Sequence, residues 1–301
     1  MATELEPIRE RVLARPDSRR PSNLRYFLYI LRHKPLGSLG FAIVGFIILI
    51  AIFADPIAPY TYQEQNYQAL KQAPNTTFYF GTDQFGRDIF SRVVHGARIS
   101  MMVGFLAVII GTGAGAVIGL ISGYFMGKLD ALVQRLVDMW MSFPDLILAL
   151  TIVAVFGNTI PNVILAIAAT ILPRGVRIIR SSTISIREMD YTMAAVAIGA
   201  SSPRIILRHV MPNTVAPFLI IMSSMFGTAI LTEAGLSFLG LGISEPTPSW
   251  GRMLTGQAAQ YLSTSPWILI FPDIAITITV MGFAFAGDAL RDIFDPRQRG
   301  R

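Results

Sequence analysis

Apolar residues along this chain gather into six runs, at 36–54, 100–125, 139–156, 160–179, 214–239 and 267–288, separated by stretches rich in charge, Gly and Pro. Each run approaches the roughly 20 residues a helix needs to cross a hydrocarbon core about 30 Å thick. The pattern therefore predicts six transmembrane helices, and an even number puts both ends of the chain on one side. The first run follows a basic stretch with Arg32 and Lys34. It begins too late and runs too long to read as a signal peptide.

One segment between two runs breaks the rule. Residues 189–213, MDYTMAAVAIGASSPRIILRHVMPN, are too interrupted by Gly, Ser and Pro to span a bilayer. Asp190 is placed to cap a helix starting near Tyr191, and Gly199 suits the left-handed position that ends one about two turns later. Ser201 or Ser202 can cap a second start, with Pro203 in its first turn. Ile205, Ile206 and Val210 then form an apolar side before Pro212, which is expected to stop the helix. The reading is two short helices about a Gly-Ala-Ser turn. Ala194, Ala195 and Ala197 beside Met193, Val196 and Ile198 give a low-relief surface that a groove in another protein can accept. An amphipathic hairpin lying on the lipid surface is the alternative.

Composition agrees with the spans: 52% of the 301 residues are hydrophobic and 15% charged, against about 25% charged in soluble domains. The net charge of +6 does not point to nucleic acid, because the basic residues border the apolar runs. Their distribution sets orientation. Twenty Lys and Arg lie in the amino-terminal tail, the 127–135 turn, the 173–213 segment and the carboxy-terminal tail, and five in the opposite loops. The positive-inside bias puts both tails and the 189–213 segment in the cytoplasm. Domain limits follow: tail 1–35, first helix 36–54, external loop 55–98, a five-helix unit 99–288 holding the cytoplasmic loop 186–213, and tail 289–301.

Within the second run, Gly111, Gly115, Gly119 and Gly123 recur every fourth residue and line one helix face, where another backbone can approach closely. Whether that backbone belongs to this chain or a partner stays open. Glu233 is the clearest intramembrane acid, either lining a translocation path or pairing locally. Asp138, Asp145 and Asp273 sit near run ends and read as solvated or capping carboxylates. In the external loop, Arg87, Asp88 and Arg92 can hold the loop by salt bridges or contact an incoming protein.

Reactive chemistry is hard to find. There are no cysteines, and His33, His95 and His209 have no ligand spacing, so no metal site is expected; His209 is expected to order the cytoplasmic turn. The nearest text to a phosphate-cradling loop is GYFMGK at 123–128, one residue short and followed by Leu129 instead of Ser or Thr. Nucleotide chemistry must lie on other chains.

These residues carry a resemblance. AAVAIGAS followed by IILRHVMPN resembles the cytoplasmic loop of ATP-binding-cassette (ABC) importer permeases, in the dipeptide/oligopeptide/nickel family and its second, "C"-type subunit. So do GTDQFGRDIFSRVVHGARIS at 81–100, LTEAGLSFLGLGISEPTPSWGRML at 231–254 and GDALRDIFDPR at 287–297. The resemblance implies an all-α membrane protein of the type I ABC importer permease fold in a prokaryotic inner membrane. It implies a second related permease, two ATPase subunits holding ATP and Mg, and a substrate-binding protein that delivers di-/oligopeptides, glutathione, nickel or other small solutes. The ATPase-coupling residues it implies are Tyr191, Met193, Ala194, Ala195, Ile198, Gly199 and Ser201. Met193 stands where that loop expects Glu, so docking is expected through shape and backbone.

Two rival classes are weaker. A secondary, ion-gradient-driven transporter needs charges near mid-bilayer and repeated broken helices, but most acids lie near run ends and the halves show no plain repeat. A membrane enzyme needs a nucleophile and base, a metal cluster or a phosphate loop, and none is legible.

Overall fold

The computed structural model describes residues 35–255 and 260–294, so the expected cytoplasmic tails fall largely outside it. In chain order the helices are α1 Pro35–Ile52, α2 Ala54–Ile57, α3 Ile89–Phe125, α4 Gly127–Met141, α5 Asp145–Phe156, α6 Ile160–Arg187, α7 Asp190–Ala197 and α8 Ser202–Ile205. A π-helical turn, Ile206–Val210, leads into α9 Met211–Phe238, followed by α10 Trp250–Met253 and α11 Trp267–Phe294. No strand is present among the described residues, only an isolated bridge between Thr82 and Asp88.

Five stretches are long and apolar enough to cross a membrane: α1, α3, α6, the continuous Ser202–Phe238 and α11. The expected third span is not a single helix. The run at 139–156 divides at Ser142–Pro144, and α4 and α5 meet there at 87°. Pro144 disfavours helical geometry in the residue before it, so the helix ends and restarts. α5 alone, at 12 residues, reaches only about 18 Å.

Other boundaries depart from expectation too, α4 starting at Gly127 rather than residue 139 and α11 running to Phe294 rather than 288. The second helix begins at Ile89, not residue 100, because the Asp88 side chain caps it, accepting from Ser91 N at 2.8 Å. Thirty-seven residues make a rod of about 55 Å, longer than the bilayer core. α6 continues past Pro173 to Arg187, with Pro173 buried among neighbours that can absorb the missing hydrogen bond. Pro212 does not stop the chain. The π turn shifts register just ahead of it, with Met211 N–H donating to Ile206 O five residues back, and Asn213 Nδ2 donates to His209 O at 2.6 Å. A helix that has already changed register there accommodates a residue with no N–H.

The glycine stripe decides the centre of the fold. A Cβ at Gly111 would stand 2.6 Å from Ala168 O, at Gly115 2.6 Å from Leu172 O, at Gly119 2.5 Å from Val176 O and at Gly123 2.9 Å from Arg180 O. All four partners are on α6, so the stripe packs within this chain. Around the seam Val103, Ala107, Val108, Ala166, Ile167 and Ile171 are buried, joined by Ala229, Ile230 and Leu236 of α9. α1 lies on the outside against α11, with Gly40 facing the Ala286 backbone.

Candidate functional site

α6 runs almost directly into α7, with only Glu188 and Met189 between them. The cap of α7 is Met189, not Asp190: Asp190 is the first helical residue, and no side-chain bond closes the end. A carboxylate in the first turn still complements the helix dipole. Thr192, fully buried, donates its hydroxyl to Ile186 O at 2.9 Å. Ala195 is buried with Tyr124, Ile186, Ile205 and Val210. It therefore belongs to the seam behind α7, not to the face α7 presents.

The helix ends as the sequence predicts. Gly199 has φ +81°, Ala200 N donates to Ala195 O at 3.1 Å and Gly199 N to Val196 O at 2.9 Å, the paired bonds of a Schellman cap. No atom lies within 4 Å of a Cβ built at Gly199, so the demand for glycine comes from backbone conformation alone. Ser201 sits in extended geometry ahead of α8 without a side-chain cap bond, and Pro203 lies in the first turn. Tyr191, Met193, Ala194, Val196, Ala197 and Ile198 are exposed, Ile198 at 86%. The Tyr191 and His209 rings are 6.3 Å apart, bringing His209 to the turn it is expected to order.

Behind this knuckle, three arginines spaced by three on α6 meet three aspartates. Arg174 Nη2 donates to Asp145 Oδ2 at 2.5 Å and Arg177 Nη2 to Asp138 Oδ1 at 2.5 Å. Arg180 grips Asp130 with Nε at 2.6 Å and Nη2 at 2.5 Å, a two-pronged geometry that Lys cannot reproduce. Ser122 of α3 also donates to Asp130, at 2.7 Å. Asp138 and Asp145 are thus ion-paired, not merely solvated or capping; Asp145 also opens α5, and Asp273 is exposed. The arginine spacing was a sequence signal for this ladder, but nothing in the chain order names its partners.

Glu233 is 1% exposed. Its Oε1 accepts from Ser237 Oγ at 2.9 Å and Ser249 Oγ at 2.7 Å. Ser249 also caps α10, and Trp250 N donates to Ser100 Oγ at 3.1 Å. Within this chain Glu233 pairs locally, tying α9 to the cap of α10, and the Trp250–Ser100 bond carries the tie on to α3.

The motif at 81–92 is likewise a knot. Asp83 accepts from Arg87 Nε at 2.6 Å and from the backbone of Phe85 and Arg87, while Arg92 Nη1 donates to Tyr62 O at 3.0 Å. Arg87, Asp88 and Arg92 are all buried, which fits the loop-holding role. At the neighbouring corner Asp55 accepts from the Arg98 guanidinium at 3.0 and 3.3 Å; that hydrogen bond holds its carboxyl below the ordinary value. Among the described residues no group of His, Asp or Glu is arranged to hold a metal ion.

Comparison with known proteins gives the arrangement its context. Residues 115–300 match the family described as binding-protein-dependent transport system inner membrane component, and residues 22–74 the N-terminal TM domain of oligopeptide transport permease C. The dipeptide transport system permease protein of Alkalihalophilus pseudofirmus is 43% identical over 89% of this chain and 88% of its own length. The glutathione transport system permease protein of Escherichia coli O6:K15:H31 is 40% identical over 96% of this chain and 95% of its own. With an all-helical, multi-pass fold and a match over more than half its length, the chain belongs to the binding-protein-dependent inner membrane component family, the permeases of ABC importers.

Proposed function

We propose that this permease moves di-/oligopeptides or related small solutes, delivered by a substrate-binding protein, and is driven through α7 by ATPase subunits on other chains. It pairs with a second related permease, and both termini lie in the cytoplasm of a prokaryotic cell. The cargo reading is supported by relatives named for dipeptide and glutathione transport. Orientation is supported by the twenty-to-five split of Lys and Arg.

The observation that carries the coupling role is the division of α7 into two faces. Thr192 and Ala195 pin one face to the bundle, while Tyr191, Met193, Ala194, Val196, Ala197 and Ile198 stand exposed on the other. Such a helix acts as a lever: force on its outer face passes through the pinned face into α6, the end of α3 and the Ser202–Val210 stretch that leads into α9. ATP binding that draws two ATPase subunits together would rock the bundles and open the path to one side, then the other, as alternating access requires. The chain's own residues supply docking and transmission. ATP and Mg remain on the partner subunits.

The test exploits the absence of cysteine. Ile198→Cys in the assembled transporter should cross-link to a cysteine placed in the ATPase cleft, with a yield that changes between ATP-bound and nucleotide-free states. No cross-link at Ile198, Ala194 or Val196 in any nucleotide state would overturn the coupling role. Gly199→Val should abolish most transport while leaving membrane insertion intact, because Val opposes the left-handed conformation by about 1 kcal/mol or more. Wild-type transport by that variant would count against it.

A further inference from the structure

α1 and α11 are pressed together at one end and parted at the other. A Cβ at Gly37 would lie 2.6 Å from Ala289 Cβ, at Gly40 2.5 Å from Ala286 N and at Gly282 2.6 Å from Ile43 Cγ2. Beyond that contact, toward the 55–98 loop, a cleft of about 300 Å³ separates Ile47 and Ile50 from Ile274, Ala275 and Ile278. Val93, Val94 and Ala97 of α3 close its back. Its roof is aromatic: Phe80 stacks on Phe271 at 3.9 Å and meets Phe90 edge-on at 5.0 Å.

The cleft has no use for water. It offers no polar surface, because its two polar side chains are already satisfied: Thr279 Oγ1 donates to Ala275 O at 2.7 Å and Trp250 Nε1 to Val93 O at 2.9 Å. A cavity of this size without hydrogen-bond partners stays dry and favours an apolar occupant. Its mouth is continuous with the exposed apolar belt of two membrane spans, where Phe46, Ile274 and Ile278 face outward. From Phe271 to Thr279 the wall rises about 12 Å, the reach of a good part of one hydrocarbon tail.

We propose that this cleft is a binding site for one acyl chain of a bilayer phospholipid, in the leaflet on the side of the 55–98 loop. The tail wedges between α1 and α11 beneath the aromatic roof and fills the space their divergence leaves. This site takes no part in the coupling at α7 and stands or falls independently of it.

The experiment places the assembled transporter in phosphatidylethanolamine–phosphatidylglycerol vesicles containing a phospholipid with a diazirine in mid-chain, then maps adducts after irradiation. Adducts should concentrate at Ile50, Phe80 and Ala275, several-fold above Leu49 and Ile52, which are exposed on the same outer half of α1. Ala275→Trp or, at the mouth, Ile278→Trp should fill the cleft and remove most of the cleft adducts while leaving those at Leu49 and Ile52 unchanged. Two filling variants protect the test from one that fails to fold. Equal labelling inside and outside the cleft, or labelling that neither variant reduces, would overturn the site. So would absent cleft labelling in the wild type, the result expected if a protein segment occupies it.

Discussion

The two sides of α6 are held by opposite means. Toward α3 it meets a stripe of glycines at backbone contact, with no room for a single added carbon at Gly115 or Gly119. Toward α4 and α5 it carries Arg174, Arg177 and Arg180, whose side chains reach out to aspartates and stay partly exposed. The dry side fixes distance by steric exclusion; the charged side fixes direction through long, adjustable side chains. The same helix feeds α7, so under the proposed coupling a push there would reach α3 rigidly and the α4–α5 elbow through ion pairs.

That contrast can be broken at its strongest point first. Gly119→Leu should force the α3–α6 seam apart and cost about 3 kcal/mol, read as loss of folded protein in detergent and a lowered melting temperature. Asp130→Ala leaves Arg180 without its bidentate partner in the most enclosed rung and should cost about 2 kcal/mol, and Arg180→Lys alone should lose a large part of the same stabilisation, since Lys cannot make the two-pronged contact. Gly113 sharpens the glycine argument from the other direction. It lies on the same helix but off the stripe, with nothing within 4 Å of a built Cβ, so Gly113→Ala should leave stability unchanged or raise it by up to about 1 kcal/mol. The smallest effect belongs to the most exposed rung. Exchanging Asp138 and Arg177 should shift stability by about 0.5 kcal/mol or less, while either single reversal lowers transport that the exchange restores.

How far each feature could be foreseen follows from what carries it. The glycine stripe was legible because its period is that of a helix. Its target was not, since a period says which face packs and nothing about the neighbour. The knuckle at α7 was legible because Gly199 must adopt positive φ and the alanines keep the surface low. Ala195 was misplaced because an eight-residue helix turns one of its alanines inward, and the contacts of Thr192 and Tyr124 decide which. The run at 139–156 was expected to pass through Pro144 unbroken and Pro212 to stop a helix, and both expectations reverse. One produces an 87° elbow and the other sits inside a continuous helix, because a π turn shifts the register ahead of Pro212 and nothing comparable precedes Pro144. Glu233 depended on Ser249, sixteen residues away across a turn.

The sequence by itself determined the membrane-spanning character, the helical glycine face, the left-handed turn at Gly199 and the family, because each is written in local composition, period or contiguous motif. Only the tertiary structure decided that the glycines meet α6, that three arginines find three aspartates, that Glu233 is sealed among serines and that α1 and α11 part around a dry cleft. Those are pairings between segments far apart along the chain, fixed by how rods of given length and bulk pack, and no local rule encodes them.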